Sequence, residues 1–349
     1  MTDLATRVAG RQERWRRFLD ADLDDPPELM CFVRYGDGEP QRPQLWPELV
    51  QERVEWAWEH YQWGCRQAAW LADDTIPCLQ VSTGTEIFAE AFGCPVHRPP
   101  DQMPFALPLI HSAAQVASLP VPEISTSSLA YLFDIADELR RRAGPDAIVR
   151  LVDIQTPMDI AALIWEKSDF LAAMITAPEA VRELALKVRA LLTAFLDEWF
   201  ARYGTRFVAH FPDYYMEGGV TVSEDEVGEV SAAMFEEFFS DELAALSKRY
   251  GGIGIHCCAH ARHQWANLAR VPGLRLINLH QPHDVLVAAY GAFGARVAQL
   301  HYGFEHSSSL ETWPGQHPAD RRIVYHVDAR TEDHARWCAD RLAQMRRQA

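Results

Sequence analysis

The chain has 349 residues, 48% of them hydrophobic, and a formal net charge of −16. That length can bury a large core, and so negative a surface repels phosphate backbones and anionic lipid headgroups, which speaks against nucleic acid and membranes as partners. No apolar run reaches membrane-spanning length, the first 28 residues hold no apolar block of the secretory kind, and seven cysteines without disulfide-scaffold spacing read as reduced thiols, so a cytoplasmic protein is expected.

In chain order, short β-branched and aliphatic runs read as buried parallel strands at "LMCFVRY" (29–35), "IVRLVDI" (148–154), "RFVAHF" (206–211) and "IGIHCC" (253–258). Three more follow at "LRLINLH" (274–280), "ARVAQLHY" (295–302) and "RIVYHV" (322–327). Helical stretches lie between them. One opens near Pro178 and stops at Gly204; another has Ser231 as N-cap and Gly251 just past its end. Residues 95–128, rich in proline and small residues, read as a long excursion. Alternation of strands and helices specifies a parallel sheet, and seven or eight units in this length fit an α/β fold of the closed (β/α)8 TIM-barrel type. The first strand is not followed by a G-x-G-x-x-G turn, which disfavours the doubly wound alternative. We expect one barrel domain over 1–349, preceded within it by a helical extension at about 1–28.

In such a barrel the chemistry sits where strands end, and polar residues collect there. The ends supply Arg34, Asp73 and Asp74, then His210, Asp213, Tyr214, Tyr215 and Glu217, then His256, Cys257 and Cys258, and later Gln281, His301, Glu305 and His306. Seven of the fourteen histidines fall between 256 and 306. Because side chains at i and i+2 share one face of a strand, His256 and Cys258 point one way and Cys257 the other. An imidazole and a thiolate aimed at one spot suit Zn²⁺, which needs a further protein ligand from another strand end. His260, His263, His301 and His334 read as packing residues, and Asp73 and Asp74 as either helix-end acids or site residues.

Several segments resemble the uroporphyrinogen decarboxylase superfamily, a (β/α)8 barrel group that includes the decarboxylase and zinc-dependent methyltransferases that work with corrinoid proteins. They are "DDTIPCLQVSTGTEIFAEAFGCPV" (73–96), "QTPMDIAALIWE" (155–166), "VSAAMFEEFFSDELAALSKRYGGIGIHCCAH" (230–260) and "LRLINLHQP" (274–282). The resemblance implies a zinc-dependent methyltransferase that takes a methyl group from a methyl-corrinoid on a partner protein, and it also implies a homodimer. His256 and Cys258 match the family's H-x-C metal pair. The family's distant cysteine has no counterpart at the last strand end, so His326, or Asp328, is expected as the third ligand, and Cys338 as a packing residue. Trp165, Tyr214, Tyr215 and Glu217 would line the pocket with Arg34, Asp213 and Gln281, Glu217 as a fourth ligand or proton acceptor. A decarboxylase would instead use Asp74, matched to the family's central aspartate, with an imidazole or Tyr214 as proton donor. The decarboxylase's arginine-rich segment is absent, since "CFVRYGDGEP" holds one arginine and two acids. A non-catalytic barrel that binds a small molecule or a corrinoid protein is the third reading.

Overall fold

The computed structural model describes residues 4–20, 29–301 and 310–346. Glu305 and His306, and the second part of the expected N-terminal extension, lie outside the described residues. In chain order the strands are β1 (Met30–Arg34), β2 (Val96–His97), β3 (Phe105–Ala106), β4 (Val149–Arg150), β5 (Arg206–Val208), β6 (Tyr215–Glu217), β7 (Val220–Ser223), β8 (Ile253–Cys257), β9 (Leu274–Leu279), β10 (Ala298–Leu300) and β11 (Ile323–Asp328). A six-stranded parallel sheet runs in the order β1-β11-β10-β9-β8-β7. From there the ring continues through isolated bridges rather than a ladder. Ser223 N–H donates to Ile154 O at 2.8 Å, Leu79 N–H to Ile148 O at 2.8 Å, and Asp74 N–H to Cys31 O at 2.9 Å. Residues 74–79, β4 and the six-stranded sheet together make the eight parallel positions of a (β/α)8 barrel, with a thin wall between β1 and residues 74–79.

The segment at 206–211 departs from the expected barrel strand. β5 pairs with the start of β4 and then folds back as the antiparallel arm β6, while the end of the β4 segment continues to β7. The physical cause lies in the turn after β5, which reverses the chain before Gly218 and Gly219 turn it again into β7.

The helices form where their end signals stand. Pro178–Tyr203 opens on Pro178 and ends where Gly204 takes φ 84°, a conformation that costs glycine little. It buries Val181, Leu184, Val188, Leu191, Leu192, Phe195 and Trp199, a stripe at three- and four-residue spacing, each large side chain contributing about 1.5–3 kcal/mol of transfer free energy. Ser231 caps the next helix by accepting Met234 N–H, a π-helical turn at Phe235–Phe239 interrupts it, and Gly251 closes it in the left-handed region. The excursion at 95–128 carries the small β2–β3 ribbon and a helix at Ala113–Val116.

The helix Leu4–Leu19 packs along the barrel's amino-terminal end: Trp15 is wholly buried, stacks on Phe32 with centroids 5.5 Å apart, and donates to Asp74 O at 2.9 Å. Arg11 is buried beside it and bonds the carbonyls of Leu71, Ala68 and Thr75. Cys338 is buried in the closing helix Glu332–Arg346, and none of the seven cysteines is in a disulfide. Among the described residues no helix is long and apolar enough to cross a membrane.

Candidate metal centre and mouth of the barrel

His256 is the penultimate residue of β8, with its ring buried, and Cys258 follows just past the strand, exposed, while Cys257 between them is buried on the other side. One ligand atom from each of His256, Cys258 and Asp225 lies within 4.8 Å of the others. Asp225 comes from the loop after β7, the strand paired directly with β8. Its Oδ2 accepts the Cys258 thiol at 3.0 Å, and its Oδ1 accepts the backbone N–H groups of Cys258 at 2.6 Å and Ala259 at 3.2 Å. Burial, reinforced by the Asp225 carboxylate, pushes the Cys258 thiol up to about 12. Burial lowers the His256 imidazole, with Asp225 and Asn278 opposing. Imidazole, thiol and carboxylate on three converging side chains are a donor set that suits Zn²⁺, with room left for an exogenous ligand.

Buried side chains fix that triad. Asn278, at the end of β9, donates through its amide to Leu300 O, so its Oδ1 faces His256 Nδ1 at 2.5 Å; Nδ1 therefore carries the proton and Nε2 keeps its lone pair for a ligand. Gln281 Nε2 donates to the carbonyls of Cys258 and Ala259, both at 2.8 Å, pinning the loop that carries the thiol. Behind Asp225, the buried Asp159 carboxylate accepts the N–H groups of Asp225 and Glu226. Asp159 neighbours Glu224, whose carboxyl burial raises strongly and whose Oε2 accepts the Thr156 hydroxyl.

His326 stands apart from the triad. β11 is separated from β8 by β10 and β9, so three strand spacings of about 4.8 Å lie between their axes around the wall. The side chain that converges with His256 and Cys258 is instead Asp225, from the loop after the adjacent strand β7. The run "SEDE" after β7 contains it, but VTVS is only four residues long and was not read as a strand; a short run of β-branched residues after Gly218 and Gly219 is the signal that would have found it.

Asp74 is also displaced from the mouth. Its side chain is wholly buried at the amino-terminal end of the wall, where its oxygens accept Arg14 at 2.8 and 3.0 Å, Cys31 N–H at 2.8 Å, and Arg346 of the last helix. Those bonds tie both chain ends to β1. Asp73 is likewise buried, accepting Val33 N–H and Thr75, with Arg11 at 3.5 Å. Tyr214 points down the barrel toward Trp15 and Gly254, where a Cβ would strike its hydroxyl. Tyr215 is buried on β6, and Glu217, at the far end of that back-folded arm, pairs opposite Arg206 near the amino-terminal helix. Trp165 is buried between helices against Phe170 rather than in the cavity lining. His301 is a packing residue, accepting Leu279 N–H at 3.1 Å.

The mouth holds a second polar group, in which His210, already placed at a strand end by the sequence, meets Ser223 and Asp153. His210 Nε2 lies 3.1 Å from Ser223 Oγ and 3.4 Å from Asp153 Oδ1. Burial pushes Asp153 up to about 7, and lowers His210 well below the usual imidazole range. Phe211, edge-on to His256 with centroids 4.7 Å apart, separates the triad from a cavity of about 770 Å³. That cavity is lined by Arg34, Asp213, His280 and His326 from the strand ends and by Trp56, His60 and Trp63 from the helix Val50–Trp70. It therefore crosses the wall between β1 and residues 74–79, which a single backbone bond joins.

Comparison with known proteins fits this architecture. The model of the family described as uroporphyrinogen decarboxylase (URO-D) matches residues 81–299. Among solved structures, a methyltransferase from Methanosarcina mazei superposes with a TM-score of 0.66 at 10% identity, covering 97% of this chain and 98% of that one. No curated protein matches the sequence.

Proposed function

The chain belongs to the uroporphyrinogen decarboxylase family, and on that premise we propose that it is a zinc-dependent methyltransferase, moving a methyl group from a methyl-corrinoid carried by another protein to a thiol-type acceptor. The observation that carries this reading is the triad of Asp225, His256 and Cys258, with its ligand atoms within 4.8 Å of one another at the carboxyl ends of β7 and β8. The likeness to the Methanosarcina mazei methyltransferase supports the architecture the reading needs. Zn²⁺ held there supplies Lewis acidity that favours the thiolate of a bound acceptor at neutral pH.

The chain's own groups do the rest. Asn278 holds the His256 tautomer, Gln281 fixes the Cys258 carbonyl, and Asp225 accepts the Cys258 thiol proton in a hydrogen bond at 3.0 Å. Arg34, Asp213 and Phe211 face the cavity in which the acceptor lies beside the triad. In this reading the chain is one cytoplasmic barrel domain, working as a homodimer.

A carboxy-lyase is the second reading, and one observation favours it: the Asp153–His210 pair puts a carboxylic acid raised to about 7 at the mouth, a suitable proton donor to a product carbon. Asp74, engaged at the opposite end, takes no part in it.

Elemental analysis separates the two. The methyltransferase should carry about one zinc per chain, lost in His256→Ala and Cys258→Ser, and should methylate a simple thiol from methylcobalamin. Protein free of zinc, or zinc retained in both variants, removes the reading.

A further inference from the structure

One buried group on the wall beside the triad lacks a counterpart. Gln155 stands at the end of the β4 segment and is 9% exposed, yet its Oε1 has no hydrogen-bond partner among the described residues. Buried amide oxygens almost always have a donor, because leaving one bare forfeits the hydration it had in water. His210 Nδ1, in a residue 6% exposed, likewise has no partner among the described residues.

Strand register puts Gln155 in the same layer as the metal ligands. It bridges to Ser223, with Thr156 N–H donating to Ser223 O at 3.0 Å and Ser223 N–H to Ile154 O at 2.8 Å, and Ser223 in turn pairs with His256. Register partners on parallel strands carry their side chains to one face, so Gln155, Ser223 and His256 look into the mouth together. Asp153, two residues earlier and so on the same face, points there as well, its Oδ1 lying 3.4 Å from His210 Nε2. Two strand spacings separate Gln155 from His256, about 10 Å, which is the span of a small organic molecule. The other polar groups of the layer are engaged: Ser223 Oγ meets His210 Nε2 at 3.1 Å, and His256 Nδ1 faces Asn278 at 2.5 Å. An amide oxygen accepts and carries no net charge, so its complement is an uncharged O–H or N–H.

We propose that Gln155 is a specificity-determining residue of the mouth, accepting from a neutral donor, a hydroxyl or an amide N–H, at the far end of a small ligand whose thiol end lies at the triad. The inference deepens the methyltransferase reading by naming the acceptor class, and it rests on that reading only for which end reacts.

Calorimetry on the purified protein tests it, comparing 4-mercaptobutan-1-ol and 4-mercaptobutanamide with pentane-1-thiol, which has a methyl group where the alcohol has its hydroxyl. At least one donor should bind about tenfold or more tightly than pentane-1-thiol, and which one does so tells hydroxyl from amide. Gln155→Met, equal in length, should abolish the preference, while Gln155→Glu, which keeps an accepting oxygen, should retain it. Melting curves check that both variants fold; a glutamine that served packing alone would lose stability in Gln155→Met with the ratio of affinities unmoved. Failure of both donors to outbind pentane-1-thiol, or the parent's ratio persisting in Gln155→Met, overturns the proposal. Zinc is assayed on the same samples, so failure of the metal reading appears as missing zinc and failure of this inference as a flat donor preference.

Discussion

Asp225 meets Cys258 twice, accepting its thiol through Oδ2 at 3.0 Å and its backbone N–H through Oδ1 at 2.6 Å. The second bond fixes the carboxylate before any metal arrives. Replacing Asp225 by Asn keeps the shape and removes the charge, so zinc affinity should fall by at least about ten- to a hundredfold. His326→Ala should leave it unchanged. Chelator competition measures both, and the reverse pattern would place the third ligand on β11.

Asn278 would act through His256 on a metal held at the triad. Asn278→Ala frees the imidazole to rotate and leaves Leu300 O without its donor, a buried loss of about 1–3 kcal/mol. Zinc affinity should drop by about ten- to a hundredfold, whereas Asn278→Asp, which still accepts from Nδ1, should restore part of it. Equal affinity in Ala and Asp variants would show that Asn278 serves packing alone.

What the sequence disclosed, and what it hid, follows the range of the interactions involved. The helix limits at Pro178, Gly204, Ser231 and Gly251 are local backbone chemistry, and each stands where its residue type says. The shared face of His256 and Cys258 needs only the two-residue period of a strand. Asp225 was hidden because its strand is four residues long and becomes adjacent to β8 only through sheet pairing. Asp74 was misread because its partners, Arg14 and Arg346, lie 60 and 272 residues away, and nothing in its own neighbourhood announces them. Tyr214 and Glu217 were assigned to the mouth on the assumption that the chain kept its direction after 211, whereas β6 runs back.

The clamp at Asp74 predicts a stability phenotype without a metal phenotype. Asp74→Ala leaves Arg14 and Arg346 without their shared carboxylate and Cys31 N–H without its acceptor. Because both arginines are partly exposed and can turn to water, the loss should be about 2–4 kcal/mol, at or below the usual cost of breaking a buried pair. Denaturant midpoints should fall while zinc content stays level. Loss of turnover without loss of stability would return Asp74 to the chemistry.

One buried and one partly buried acid make the fold respond to pH in a direction opposite to that of paired surface carboxylates. Burial pushes both Glu86, 2% exposed with Oε2 lacking a partner, and Asp153 up to about 7; Glu90 reinforces the shift at Glu86 and Asp225 that at Asp153, while Arg98 and Arg150 oppose. An acid whose folded value lies above its unfolded one keeps its proton in the native state after the unfolded chain has released it. Its contribution to stability is therefore greatest below pH about 4 and is lost as pH rises through 7. Glu86→Gln with Asp153→Asn removes that dependence, so the double variant should gain on the parent between pH 5 and 8, by a few kcal/mol at most. Urea midpoints of the two proteins at each pH measure the difference directly, because every other titrating group is common to both. Curves that stay parallel across that interval would mean that these carboxyls ionise in the native state as they do in water, and the proton donor assigned to the lyase reading would go with them.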